Sequence, residues 1–131
     1  MKPHLTIPLI LLLTSCAPRP LYQPSLTDDG TVITTRVGSQ FRIALDTNPT
    51  TGYEWKYRED PEGLVRLVES KYDPSHPERI GGGGFDLWIF EGVETGETRI
   101  TFEYVRACEA GVEPVKKVRY EVRVEYNRIS K

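Results

Sequence analysis

The sequence predicts an all-β fold, an immunoglobulin-like antiparallel β-sandwich of about seven or eight strands, and three observations carry that prediction. From Thr31 onward apolar and polar residues alternate with period 2, and no window of helical period is long enough to support a helix. Turn residues interrupt the alternation at short intervals, as a sandwich of short strands requires. Seven tyrosines, four phenylalanines and two tryptophans against one methionine suit a pleated, half-buried surface better than a helical core. A closed barrel is the second architecture this pattern allows.

Length and composition set the outer bounds. With 131 residues, 38% hydrophobic and 27% charged, the chain has material for one modest core and a single domain. Its formal net charge is −2, and removing residues 1–15 takes away only Lys2, which leaves −3. Without a basic surplus or a long charge run, nothing points to nucleic acid as a partner.

Residues 1–15 begin with Lys2 and continue in an apolar run from Leu5 to Leu13 that is too short to span a bilayer, so they read as a secretory signal. Their end, Leu13-Thr14-Ser15-Cys16, resembles the bacterial lipobox. That resemblance implies cleavage before Cys16, lipid attachment at its sulfur, and a protein anchored to a membrane of the bacterial cell envelope. Ala17 rather than Asp follows, which resembles lipoproteins sent to the outer membrane where the host has one. A signal without lipid is the other reading. Residues 16–30, with Pro18, Pro20, Pro24, Ser25, Asp28, Asp29 and Gly30, form a Pro-rich tether that extends at about 3.1 Å per residue. A first strand around Leu21-Tyr22 is the alternative there.

Residues 31–131 hold the domain. Strands are expected at 31–36, 40–46, 53–58, 64–71, 85–91, 98–106 and 115–126. In the second, Phe41, Ile43 and Leu45 face inward; in the third, Tyr53, Trp55 and Tyr57 do. Trp88 and Phe90 of the fifth strand read as packing residues. Ile100, Phe102 and Tyr104 form the inward face of the sixth, and Val118, Tyr120, Val122, Val124 and Tyr126 that of the last, with Arg119, Glu121, Arg123 and Glu125 in water.

Between the second and third strands lies Asn48-Pro49-Thr50-Thr51-Gly52-Tyr53. Pro49 fixes its own φ and biases Asn48 toward an extended conformation, the β-branched Thr50 and Thr51 are restricted at χ1, and Gly52 permits a sharp reversal. Such a loop is stiff, uncharged and without a base or nucleophile, and its two hydroxyls are expected to face outward. The six residues resemble the signature loop of the chagasin-like inhibitors of papain-type cysteine peptidases, Asn-Pro-Thr-Thr-Gly followed by an aromatic residue.

Two further motifs of that family can be sought. Gly81-Gly82-Gly83-Gly84 fits the second, Gly-x-Gly-Gly, and lets a backbone approach another surface closely. A phosphate-cradling loop would need a helix and a Lys-Ser/Thr pair after it, and a strand follows instead. The third, Arg-Pro-Trp, is represented by Arg106-Ala107-Cys108, so only the arginine is kept. Losing an interface tryptophan costs about 2 kcal/mol or more, which bears on affinity and target choice. Glu109 and Glu113 add charge that could select the partner electrostatically.

If Cys16 carries lipid, Cys108 is a lone thiol; it reads as a partly buried small residue at the loop base, or as a thiol able to pair with a partner. A Cys16–Cys108 disulfide fits only without the lipid. His76, the one histidine after residue 15, has no second ligand beside it, and no acid–base pair stands out, so no catalytic residue, metal site or cofactor is expected.

The resemblance thus implies a reversible protein inhibitor, not an enzyme, that blocks the active-site cleft of a papain-like cysteine peptidase with three loops. Asn48, Pro49, Thr50, Thr51, Gly52 and Tyr53 form the first, Thr50 being the central contact; Gly81, Gly82, Gly83 and Gly84 form the second, and Arg106, Ala107 and Cys108 the third. A monomer is expected. The competing reading is an envelope-anchored immunoglobulin-like binding or adhesion module without inhibitory activity.

Overall fold

The computed structural model describes residues 29–74 and 81–128, together with Pro3. The secretory segment otherwise, Cys16, the tether up to residue 28, the alternative strand at Leu21-Tyr22, and His76 lie outside the described residues. Seven strands follow: β1 (Thr31–Arg36), β2 (Gln40–Thr47), β3 (Tyr53–Asp60), β4 (Val65–Pro74), β5 (Gly84–Gly92), β6 (Gly96–Arg106) and β7 (Lys116–Glu125). They make two sheets, one ordered β1-β7-β6-β3 and the other β2-β5-β4. Each expected strand is present within a few residues of its expected bounds. Among the described residues a single three-residue 3-10 turn, Pro49–Thr51, interrupts the all-strand pattern, too short to leave a helical period in the sequence.

One pairing departs from the antiparallel expectation. β1 lies parallel to β7, with Thr31 opposite Tyr120 and Arg36 opposite Glu125. The reason is connectivity. β1 must end where β2 begins, at the end of the sandwich away from the β2–β3 turn, and β7 also ends there. At that crossing Gly38 N–H bonds the Gly92 carbonyl at 2.8 Å and Val37 N–H bonds the Glu125 carbonyl at 3.1 Å.

The inward-facing residues meet in one core: Ile33 from β1, Phe41, Ile43 and Leu45 from β2, Trp55 from β3, Val65 from β4, Phe90 from β5, Ile100, Phe102 and Tyr104 from β6, and Tyr120, Val122 and Val124 from β7. Burial of such side chains contributes about 1.5–3 kcal/mol each, and this holds the loop-bearing end fixed. Trp88 and Phe90 are packing residues: Trp88 meets Phe102 edge-on at 5.4 Å and Phe90 stacks on Phe41 at 5.5 Å. Two inward expectations fail. Tyr126 falls past the end of β7 and is exposed. Tyr57, on the edge strand β3, leaves part of its ring in water while its edge touches Trp88 and Phe90.

The outer face of the four-stranded sheet is charged and locally neutral. Glu103 pairs with both Arg58 and Lys117, Arg99 pairs with Glu121, and Arg123 pairs with Glu97. Exposed pairs of this kind contribute little each, but they explain why arginine and glutamate alternate along β7. Asp29 anchors the start of the domain by accepting from the Arg119 backbone and guanidinium. Those bonds and the arginine charge keep its carboxyl below the ordinary aspartate value.

Candidate functional site

Strand register decides which loops meet. β2 pairs with β5 so that Thr47 lies opposite Gly84, and β3 pairs with β6 so that Tyr53 lies opposite Arg106. The connection from Thr47 to Tyr53 therefore crosses from one sheet to the other at the end of the sandwich. It has the glycine segment beside it on its first sheet and the β6–β7 loop beside it on its second. Hydrogen bonds close both junctions: Asn48 Nδ2 donates to the Gly81 carbonyl at 3.3 Å, and Ala107 N–H donates to the Gly52 carbonyl at 3.2 Å.

Within the central loop the residues do what their types dictate. Asn48 is the cap of the 3-10 turn, extended at φ −136° and ψ 97°, as expected of a residue before proline. Its Oδ1 accepts from Thr50 N–H at 3.2 Å and from Thr50 Oγ1 at 2.6 Å. Thr51 N–H and Thr51 Oγ1 both donate to the Asn48 carbonyl, at 3.1 and 2.7 Å. Gly52 ends the turn at φ 79°, where a side chain is strained, and donates to the Pro49 carbonyl. Both threonines are exposed, as expected, but their hydroxyls are not free. Each donates to Asn48 at the surface, because a tight turn brings that local acceptor within reach of its hydroxyls.

Beneath the loop sits Tyr104, buried at the end of β6. Its hydroxyl accepts Asn48 N–H at 3.1 Å and lies 3.4 Å from Thr47 Oγ1. Its ring packs against Trp55 at 4.7 Å and Tyr53 at 5.4 Å, and its carbonyl accepts Val115 N–H at 3.0 Å. Burial pushes the Tyr104 pKa up, but hydrogen bonding to Thr47, Asn48 N–H and Thr51, with the Lys116 ammonium nearby, outweighs it, and the net direction is down. One residue thus joins the returning limb of the β6–β7 loop, through its carbonyl, to the start of the central loop, through its hydroxyl. Trp55 Nε1 adds a bond to the Asp46 carbonyl at 2.9 Å.

In the glycine segment the constraints fall on Gly81, Gly83 and Gly84, the positions that Gly-x-Gly-Gly fixes. Gly81 has φ 75°; a Cβ on Gly83 would lie 3.3 Å from the Thr47 carbonyl oxygen, and one on Gly84 would overlap the Asp73 carbonyl and come within 2.8 Å of the Tyr72 ring. Gly82 lies between them, partly exposed. On the other side Arg106 holds its guanidinium 5.0 Å over the Tyr53 ring and pairs with Glu109 at 3.3 Å. Ala107 and Cys108 follow at the surface. The expectation of Cys108 as a partly buried residue is corrected: its side chain is exposed, because the loop turns at Ala107-Cys108 before any core neighbour comes near.

Every residue of the three sequence motifs is therefore at one end of the sandwich, in the spatial order glycine segment, central loop, β6–β7 loop. An open concavity of ≈680 Å³ lies between them, lined by Asn48, Thr51, Tyr53, Gly83, Tyr104 and Val115 among others. Among the described residues no group of His, Cys, Asp or Glu could hold a metal ion.

Comparison with known proteins decides what this end of the molecule belongs to. Residues 34–123 match the chagasin family of peptidase inhibitors, I42. The chain belongs to that family. Among chagasin-family relatives, amoebiasin-1 of Entamoeba histolytica is 40% identical over 84 residues, covering 63% of this chain and 81% of that protein. Chagasin of Trypanosoma cruzi is 30% identical over 82 residues, 60% of this chain and 74% of its own. The crystal structure of the cysteine protease inhibitor EhICP2 from Entamoeba histolytica shares the fold, with a TM-score of 0.72 at 24% identity over 80% of this chain and 96% of that one. As a chagasin-family protein this is an inhibitor and not an enzyme.

Sequence reading placed the three motifs but missed Tyr104 as more than a core residue. The signal was there: a tyrosine, not a phenylalanine, at the inward position nearest the loops needs a polar partner for its hydroxyl. Asn48 as the bridge to Gly81 had no signal beyond its identity.

Proposed function

We propose that this protein reversibly inhibits papain-like cysteine peptidases by seating the Asn48–Gly52 loop in the active-site cleft, with the glycine segment and the β6–β7 loop against its two walls. The observation that carries this reading is the hydrogen-bonded union of the three loops at one end of the sandwich. A wedge already held in shape loses little conformational entropy on docking. Its central turn also resists cleavage. Peptidases act on segments they can hold extended with the carbonyl aligned for attack, whereas the Asn48 and Pro49 carbonyls are engaged inside a 3-10 turn. Asn48, Pro49, Thr50, Thr51, Gly52 and Tyr53 form the central contact, Gly81 to Gly84 one flank, and Arg106, Ala107 and Cys108 the start of the other.

In this reading the protein acts as a monomer, one copy per peptidase. It is held at the bacterial cell envelope by lipid on Cys16, which the Leu13-Thr14-Ser15-Cys16 sequence supports. Incorporation of labelled fatty acid by the wild type and its loss in Cys16→Ser tests the anchor. The inhibitory function is tested by titrating papain with the protein and following residual activity, with electrophoresis to check that the inhibitor stays uncut. Stoichiometric inhibition that reverses on dilution is expected. Absence of inhibition up to about 10 μM, a binding free energy weaker than about 7 kcal/mol, overturns papain-like peptidases as the target.

A further inference from the structure

We infer that the β6–β7 loop of this chain engages the peptidase through Val112 and Val115, on its returning limb, rather than through Ala107-Cys108, which hold the family's Pro-Trp positions. The inference rests on the inhibitory reading above and specifies the contact that replaces the missing tryptophan. On the outgoing limb little apolar surface is available. Arg106 is engaged with Tyr53 and Glu109, the Ala107 amide is bonded to Gly52, and Ala107 and Cys108 carry only small side chains. A tryptophan in that place would bring about 150–250 Å² of apolar surface.

The returning limb differs. Val112 is 59% exposed and Val115 58% exposed, the two most exposed valines among the described residues and both within one loop. Val115 is not loose: its N–H is bonded to the Tyr104 carbonyl at 3.0 Å, and Pro114 precedes it. It lines the same concavity as Thr51 and Tyr53 of the central loop. A peptidase wall in contact with Thr51 and Tyr53 therefore meets Val115 on one continuous surface, with Val112 three residues before it. The occupant this surface fits is an apolar side chain on the wall of the peptidase cleft, flanked by a group that tolerates the Lys116 ammonium, which lies 5.7 Å from the centre of the Tyr104 ring.

Inhibition constants of the full chain against papain test the inference, comparing wild type, the Val112→Ser/Val115→Ser pair and the Ala107→Gly/Cys108→Ser pair. All four positions are exposed, so the melting temperatures are expected to match, which separates a lost contact from a lost fold. The valine pair is expected to weaken inhibition fivefold or more while the alanine–cysteine pair weakens it less than the valine pair does. A change below fivefold in the valine pair, or a larger loss in the alanine–cysteine pair, overturns the inference and leaves the inhibitory reading standing. No inhibition by the wild type overturns both.

Discussion

Replacing Tyr104 with phenylalanine removes one oxygen and keeps the ring, and the structure gives the size of the effect. The hydroxyl accepts Asn48 N–H at 3.1 Å and lies 3.4 Å from Thr47 Oγ1. Losing an ordinary hydrogen bond costs about 1 kcal/mol, and leaving a partly buried N–H unpaired costs about 1–3 kcal/mol. Because the loop end is open to water through the adjoining concavity, the lower part of that range applies, about 1–2 kcal/mol. Thermal melting should then fall by about 5–15 °C in a domain of this size. Part of the loss also appears in binding, since Asn48 starts the turn that caps Thr50, and a loop freed at its base must be ordered again on docking. Titration against papain is expected to show inhibition weakened about three- to tenfold, with the wild-type fold retained by circular dichroism. A variant that melts within about a degree of wild type and inhibits equally well refutes the role given to the hydroxyl.

Gly84→Ala is expected to destabilise the domain by about 1–3 kcal/mol, read as a fall in denaturant midpoint, because its Cβ would strike the Asp73 carbonyl, which is backbone and cannot move aside. Asp86→Asn is expected to raise the melting temperature at pH 7. Burial raises the Asp86 pKa above the model-compound value of 3.8, against an opposing hydrogen bond from Thr47. A group with a raised folded pKa contributes stability that is fully present below its unfolded value and lost as pH rises through the folded one. The advantage of asparagine should therefore shrink as pH falls toward and below about 3.8, which melting curves across pH 3–7 would reveal.

Much of this molecule is legible in its sequence because sandwich strands carry their own signal. The alternation of Phe41, Ile43 and Leu45, or of Tyr120, Val122 and Val124, states which face is buried, and every one of these side chains is in the core. What alternation does not contain is direction and company. Nothing local in Thr31–Arg36 says that it lies parallel to β7, since that follows from where the chain must next begin a strand in the other sheet. Tyr126 continues the periodic pattern of β7, yet the partner strand has ended and no facing sheet covers it. The candidate site divides the same way. Motif residues announced the three loops, whereas the bonds that unite them, Asn48 to Gly81 and Ala107 to Gly52, span 33 and 55 positions and depend on strand register alone. Thr50 and Thr51 were readable as stiff and exposed but not as bonded to Asn48, because that acceptor comes within reach only once the 3-10 turn exists.

The central claim is that the first loop is the inhibitory element, and the comparison of Thr50→Arg with wild type in a papain titration tests it most directly. Thr50 is exposed at the apex of the turn and bonds only within its own loop, so an arginine there leaves the core untouched while placing a long cation where the loop meets the cleft. The expected result is an unchanged far-ultraviolet spectrum and loss of inhibition by at least about a hundredfold, close to 3 kcal/mol. Full inhibition by the folded variant would contradict the claim and move the binding surface away from this end of the sandwich.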